Sequence, residues 1–243
     1  RRSSDLVHPR DFRGIGPWLP ITFLALTGGA IFGALQYVGL QYTTAINVSV
    51  LNSVAPVLIV AASALVFGDP ASLRQFIGIM ISLSGVIAIV CKGDFSALTR
   101  MEFNWGDLII LFNMGLFAVY SACLRLRPPM HWLSFTFAMA AISAIVSLPA
   151  MAIEHMSGYT LQLDRETLAA LAYVSIFPSV VATVVWNKGV DLIGPGRAGA
   201  MLHLIALYSA IMASLLLGER LMPFHFAGFA LIISGVWLAA RKA

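Results

Sequence analysis

The chain has 243 residues, of which 59% are hydrophobic and only 11% are charged, and its mean hydropathy is +0.88. A soluble domain needs far more charge to cover its surface, and a disordered chain is far less apolar, so both classes are excluded. The net charge of +4 does not indicate nucleic-acid binding, because the basic residues are scattered between apolar runs. Cys91 and Cys123 lie in separate apolar segments with no metal-binding spacing, so we expect no disulfide, no metal and no cofactor.

Eight apolar segments are each long enough to cross a bilayer. The run between Arg13 and Asp69 contains no charge, and as one helix it would reach roughly 80 Å, whereas a hydrocarbon core is about 30 Å thick. That run must therefore turn back once. The sequence predicts an all-α, polytopic membrane helix bundle. Its predicted spans, called the first to the eighth, are 18–42, 45–67, 74–91, 105–124, 131–153, 168–187, 197–217 and 222–240.

The placement of basic residues predicts the orientation. If segment 1–17 is cytoplasmic, eleven of the 15 Lys and Arg residues fall on the inner side and four on the outer side. This distribution follows the positive-inside rule, so both termini are predicted to be cytoplasmic, in what we expect to be a bacterial inner membrane. Tryptophan prefers the headgroup layer, and all five lie near predicted helix ends. They are Trp18, Trp105, Trp132, Trp186 and Trp237.

The chain repeats itself at a shift of 150 positions. Residues 150 positions apart then lie in spans that are five crossings apart. Because five is odd, the two halves have opposite orientations in the membrane, as in many secondary transporters. Spans four and five would pair with positions before Arg1, so we expect a ten-helix, 5+5 protein whose first two helices are missing from this chain. The expected parts are a cytoplasmic segment 1–17, three helices of the first repeat in 18–92, an external loop 93–104 and a five-helix second repeat in 105–243. The matches are Gly39 with Gly189, Gly68-Asp69 with Gly218-Glu219, Phe76 and Gly78 with Phe226 and Gly228, and Ser84-Gly85-Val86 with Ser234-Gly235-Val236.

These motifs resemble the EamA-type half of the drug/metabolite transporter superfamily. The resemblance rests on 39–45 (GLQYTTA), 53–56 (SVAP), 67–69 (FGD) and 84–86 (SGV), and again on 217–220 (LGER) with 234–236 (SGV). It implies transport of a small molecule, which in this superfamily ranges from amino acids and drugs to sugars and nucleotide conjugates. Asp69 stands where the first half usually has Glu, and Ala206 where the second half often has Pro. Because of these two departures, the resemblance does not identify the subfamily or its solute.

Polar side chains within the spans are candidates for the solute pathway, because polar groups are costly in lipid. On the second span Asn52, Ser53 and Pro56 share one helical face, and Pro56 leaves a backbone carbonyl without its helical partner. Several alternatives stay open. Small residues such as Gly29 and Gly199 are typical of close helix packing, and Ser and Thr can bond to their own helix carbonyls. The full candidate set is Gln36, Tyr37, Asn52, Ser53, Pro56, Asn113, Tyr120, Trp186, Asn187 and His203, where His203 is either a proton site or a satisfied core histidine.

Acidic residues are absent from the middle of every span. Asp107, Asp191 and Glu219 lie near helix ends and are expected to be solvated, while Asp69 and Glu219 are expected to accept backbone N–H groups at the starts of the third and eighth spans. Motifs of hydrolases, metalloenzymes and nucleotide-binding enzymes are also absent, so we do not expect an enzyme.

Together these features predict a secondary transporter that works by alternating access and exports a small polar metabolite, such as an amino acid, or a drug-like solute. The pocket is expected between the symmetric helix pairs. The alternative is a membrane subunit or scaffold that does not itself transport. The expected partners are the solute and lipid, and a homodimer is left open.

Overall fold

The computed structural model describes residues 16–69, 71–99, 102–158, 164–218 and 220–241. Over these ranges it is almost entirely helical, contains no strand, and has eight helices long and apolar enough to cross a membrane. The predicted helix bundle with eight spans is therefore confirmed. The eight long helices are α1 (Trp18–Tyr42), α2 (Ala45–Asn52 and Ala55–Phe67), α3 (Leu73–Val90), α4 (Trp105–Leu126), α5 (Trp132–Met156), α6 (Arg165–Ile193), α7 (Pro195–Met201 and Leu204–Leu217) and α8 (Pro223–Ala240).

Four of these helices are irregular, and the irregularities occur at equivalent positions of the 150-residue shift. Helix α1 is π-helical over Leu26–Ala30 and α6 over Phe177–Ala182, where a glycine pair and Pro178 respectively weaken the regular hydrogen-bond ladder. Helices α2 and α7 are each interrupted near their middle, after Asn52 and after Met201. Local unwinding of this kind is frequent at functional sites.

Helix α6 is longer than the sequence predicted. The predicted end at 187 is wrong, since the helix continues past Lys188 and Asp191 to Ile193. Both charged side chains are exposed, so they can reach out of the apolar region while their backbone stays helical. Trp186 consequently lies two turns before the end of its helix, not close to it as predicted.

Short polar side chains cap the starts of α2 and α3. The Oγ1 of Thr44 accepts the Asn47 N–H of α2 at 3.2 Å, and the Oγ of Ser72 accepts the Gln75 N–H of α3 at 3.2 Å. Ser72 directly precedes α3 and is its N-cap, while the expectation that Asp69 accepts backbone N–H groups there stays a prediction. Glu219 lies outside the described residues, and α8 begins after Met222.

The chain divides into two compact units. The first contains α1 as far as Gly33, together with Cys123–Leu192, which includes α5 and most of α6. Within it α1 packs on α5, where the Ser143 Oγ donates to the carbonyl oxygen of Ala25 at 3.1 Å. A Cβ atom on Gly29 would meet that same hydroxyl, so Gly29 has a packing role.

The second unit contains Ala34–Ala122 and the chain from Ile193 onward. Its centre is the contact between α3 and α8, which approach so closely that glycine is required on both. A Cβ atom on Gly78 would lie 2.6 Å from the carbonyl oxygen of Gly235, and one on Gly85 would lie 2.7 Å from that of Gly228. Since Gly78 and Gly85 are equivalent to Gly228 and Gly235, each helix presents the same pair of glycines to its equivalent. That exchange of partners is the mark of a contact across a local two-fold axis.

Candidate functional site

His203 lies at the break of α7 and connects three helices of the second unit. Its side chain is 2% exposed. The Nε2 atom lies 2.9 Å from the carbonyl oxygen of Ser53 in α2, and the Nδ1 atom lies 2.5 Å from the Oγ of Ser82 in α3. The imidazole of His203 thus connects its own helix, α7, to both α2 and α3.

The carbonyl of Ser53 is available to His203 because α2 is broken there. In a continuous helix the N–H of Val57 would bond to Ser53, but it donates instead to the carbonyl of Val54 at 3.0 Å. Pro56 has no N–H, so the ladder cannot run straight through this turn. The Ser53 hydroxyl is also committed, since it donates to the Val50 carbonyl at 2.6 Å. The break therefore leaves the Ser53 carbonyl without a donor from its own helix, and His203 donates to it instead.

Helix α7 breaks at the matching place without a proline. The N–H of His203 donates to Ala200 at 3.3 Å and that of Ala206 to His203 at 3.2 Å. These are bonds to the third preceding residue, which tighten the turn relative to an α-helix. Ala206 stands at the position equivalent to Pro56, so no residue type marked this second break in advance.

Asn52 is the last residue of the first half of α2. Its Oδ1 atom is buried and has no hydrogen-bond partner among the described residues. A buried amide oxygen without a donor is costly, and a bound solute or water with an N–H or O–H group would satisfy it. Asn52 therefore combines a helix break with an unused acceptor.

Gln36 and Asn113 form a second polar contact in the same unit. The Nδ2 of Asn113 donates to the Oε1 of Gln36 at 3.0 Å and so links α4 to α1. Asn113 is fully buried, and Tyr120, two turns further along α4, is 2% exposed with its ring 6.0 Å from that of Phe117. Tyr37, predicted beside Gln36, is 67% exposed.

The structure assigns the remaining candidates to the first unit. Trp186 and Asn187 lie in α6, and Asn187 is fully buried there. On the same helix the hydroxyls of Ser179 and Thr183 donate to the carbonyls of Val174 at 2.9 Å and Pro178 at 3.4 Å. These two hydroxyls thus satisfy carbonyls of their own helix, as the packing interpretation holds.

Asp107 is a buried carboxylate that sequence reasoning missed. The expectation that it is solvated is wrong, since it is fully buried and accepts hydrogen bonds from the Oγ1 of Thr43 at 2.5 Å and the Nδ2 of Asn47 at 3.2 Å. It also exchanges bonds with Asn104, whose N–H donates to Asp107 at 3.0 Å and whose Oδ1 accepts the Asp107 N–H at 3.1 Å. This reciprocal arrangement is a capping box at the start of α4. The bonds from Thr43 and Asn47 join this end of α4 to the α1–α2 connection and the start of α2. Asp191, by contrast, is exposed as expected.

A cavity of about 290 Å³ lies in the second unit, near the C-terminal end of α2. Its wall carries one acidic and one basic side chain, Asp69 and Arg197, together with the amide of Gln75. A Cβ atom at position 196 would meet the Nε2 of Gln75, so a larger residue there would displace this amide. The volume is close to the lower end of the range for small-molecule sites. The sequence did not point to this cavity, because its wall joins segments far apart in the chain.

Comparison with known proteins agrees with these features. The sequence profile of the EamA-like transporter family matches residues 6–91 and again 104–241. An uncharacterized transporter of Archaeoglobus fulgidus is 32% identical over 228 residues, which is 93% of this chain and 77% of that protein. The uncharacterized transporter YyaM of Bacillus subtilis is 26% identical and covers 89% of this chain and 71% of its own length.

Two further proteins extend the comparison. A protein of Streptantibioticus cattleyicolor named "Probable terminal-alkyne amino-acid exporter" is 25% identical, over 91% of this chain and 73% of its own length. A solved crystal structure superposes with a TM-score of 0.70 at 17% identity, covering 95% of this chain and 89% of the other, which shows a common fold. From the family match and these relatives we conclude that the chain belongs to the EamA-like transporter family, within the drug/metabolite transporter superfamily, and is an integral membrane protein that transports small molecules.

Proposed function

We propose that the protein is a secondary transporter that moves a small polar metabolite by alternating access, with the broken helices α2 and α7 as its moving parts. The observation that carries this proposal is the hydrogen bond between the Ser53 carbonyl and His203, which joins the two breaks. Discontinuous helices at equivalent positions of two repeats typify secondary transporters, where unwound backbone and half-helix ends bind the solute or ion.

The breaks suit a helix that must bend during transport. Non-helical backbone in a membrane is tolerated only where protein or water satisfies its polar groups. In this chain one side chain satisfies the Ser53 carbonyl, so exchanging that single bond for a solute or water contact would let the two halves of α2 change their angle. A regular helix would have to break several ladder bonds for the same motion.

An amino acid or a similar solute fits the polar groups of the second unit. The unused Oδ1 of Asn52 is an acceptor for an ammonium or amide N–H. The cavity near Asp69 and Arg197 presents charges of both signs, which match a zwitterion. Export is the direction named for the Streptantibioticus cattleyicolor relative, and we propose the same direction for this chain.

The remaining assignments follow from the sequence pattern. We propose that 18–92 belongs to one repeat and 105–243 to a second, inverted repeat, and that an external loop at 93–104 joins them. We also propose that both termini are cytoplasmic, because the basic residues favour that orientation, and that the membrane is a bacterial inner membrane.

Uptake by liposomes containing the full-length protein tests the proposal. Each of the twenty protein amino acids is supplied in radiolabelled form, and initial rates are measured against concentration. At least one amino acid is expected to enter with a saturating rate that protein-free liposomes lack. Rates that rise linearly for every amino acid, or no uptake above the protein-free level, would contradict it.

A further inference from the structure

We propose that His203 is the binding site of a coupling proton and that Ser82 allows the imidazole to gain or lose this proton while its contacts stay in place. The inference rests on the proposed function as a secondary transporter, and it names the ion that drives the solute. It follows from the hydrogen-bond geometry around the ring.

The Nε2 atom must carry a hydrogen in both protonation states. Its partner is the carbonyl oxygen of Ser53, which can only accept a hydrogen bond. The neutral ring is therefore the Nε2–H tautomer, and its Nδ1 atom is an acceptor facing the hydroxyl of Ser82. The ring is thus held in one orientation, and a proton arriving at the site binds at Nδ1.

Ser82 has a suitable partner for each state of the ring. Its Oγ lies within hydrogen-bond distance of both His203 Nδ1, at 2.5 Å, and the carbonyl oxygen of Ile79, at 3.0 Å. When the ring is neutral, the hydroxyl donates to Nδ1. When the ring is protonated, Nδ1–H donates to the hydroxyl oxygen and the hydroxyl hydrogen turns to Ile79. Rotation of one O–H bond therefore keeps every polar group satisfied in both states.

Other titratable side chains close to the His203 ring would compete with it for the proton. The helices that pack around His203 are α2, α3, α7 and α8, and their described parts contain no carboxylate. In the described structure no hydrogen bond or ion pair joins the ring to a titratable or charged side chain of these helices or of the residues that directly follow them. Those side chains are Arg74, Cys91, Arg197, Tyr208, His225 and Arg241.

The positive charge of a protonated ring is stabilised by backbone oxygens. The Ser53 carbonyl lies at the C-terminal end of the first half of α2, residues Ala45–Asn52, where the helix dipole is negative. Half-helix C-terminal ends and unwound carbonyls are the groups that bind coupling ions in other discontinuous helices.

Nitrogen-15 NMR of the full-length protein in nanodiscs tests proton binding without any solute. The protein is labelled with ¹⁵N-histidine, and the resonance missing from His203→Gln is assigned to His203. Between pH 8 and pH 5 this resonance is expected to change from the Nε2–H tautomer to the doubly protonated ring. A ring that stays neutral over this whole range would overturn the proposal.

Transport tests the coupling itself. Liposomes containing the full-length protein receive an equimolar mixture of the twenty radiolabelled amino acids, with the interior one pH unit more acidic than the exterior. For one proton exchanged per solute, accumulation is expected to rise by about tenfold. His203→Gln should lose the response to the gradient, measured as the ratio of accumulation with the gradient to accumulation without it.

Ser82→Ala provides a second variant that keeps the histidine. It removes the acceptor of Nδ1–H, so the pH at which the gradient-driven rate is half maximal should shift to lower values, whereas a purely structural defect would lower the rate at every pH. An equal response in the wild type and His203→Gln would overturn the proposal. Exchange without any response to the gradient overturns proton coupling alone, whereas loss of exchange in the wild type contradicts the proposed function.

Discussion

The carbonyl oxygen of Ser53 accepts a hydrogen bond from the Nε2 of His203, and the two residues are 150 positions apart, at equivalent points of the internal repeat. A contact between equivalent residues lies on the two-fold axis that relates them. The glycines of α3 and α8 exchange partners about a local axis of the same kind. In the second unit, a change at the contact between Ser53 and His203 would thus act on both broken helices at once.

The close approach of α3 and α8 should tolerate no side chain at Gly235. A Cβ atom there would collide with the Ser82 amide nitrogen and lie 2.5 Å from the Gly78 carbonyl oxygen. Gly235→Ala should therefore force the backbones apart and destabilise the protein by about 1–3 kcal/mol. Thermal unfolding of the detergent-solubilised protein measures this. Gly115→Ala, where nothing lies within 4 Å, is the control, and equal melting temperatures for both variants would contradict the packing.

The buried carboxylate of Asp107 should stabilise the junction of α4 with the α1–α2 connection. Asp107→Asn weakens the bond from Thr43 and sets an NH₂ group against the donor of Asn47 or Asn104, which should cost about 1–3 kcal/mol. Thermal unfolding is again the measurement. Glu102→Gln changes the charge of an exposed side chain close by and should have no effect. Indistinguishable stabilities for the two variants would mean that Asp107 is not held as described.

The N-cap of α6 should give a stability that depends on pH. The carboxylate of Asp164 accepts the Thr167 N–H at 2.7 Å, and this bond to the backbone lowers the pKa of Asp164 below its usual value. A lowered pKa in the folded state means that the stabilisation is complete above the ordinary carboxyl pKa of about 4 and disappears as the pH falls through the lower, folded value. The difference in melting temperature between wild type and Asp164→Ala should therefore be larger at pH 6 than at pH 3. A difference that is constant, or that grows in acid, would contradict the cap.

Asn52 should affect transport more than folding. Asn52→Leu removes an unpartnered buried amide oxygen, so the protein should reach the membrane in normal amounts, while loss of one solute contact lowers uptake by about fivefold. Ser234→Leu on α8 is a matched control. It also replaces a polar side chain within a span by leucine, but Ser234 is exposed and its hydroxyl bonds to its own helix at Leu231. A parallel loss of membrane abundance and uptake in Asn52→Leu would make Asn52 structural.

Local sequence patterns predicted the features of this fold that depend on local chemistry. The hydropathy of each segment indicated eight spans, and Pro56 indicated the irregularity in α2, because a residue without an N–H interrupts its own helix wherever it occurs. The break in α7 was not predictable in this way, since Ala206 carries no such signal and only the tight turn at His203 shows it.

Features that depend on distant contacts were harder to predict. Asp107 looked like a solvated helix-end residue, but the α1–α2 connection returns to cover it, and that return is encoded some 60 positions earlier by Thr43 and Asn47. The pairing of His203 with Ser53 and Ser82 is likewise a product of tertiary packing. From the sequence alone, a proton site and a core histidine had equal support.

Counterflow tests the central claim most directly. Liposomes containing the full-length protein are loaded with one unlabelled amino acid, and entry of the same labelled amino acid is followed over time. A carrier that exposes one site alternately to each side should show entry accelerated by the internal solute, with a transient accumulation above equilibrium. Entry that is independent of internal solute and proportional to concentration would show a channel or a leak, and would contradict alternating access.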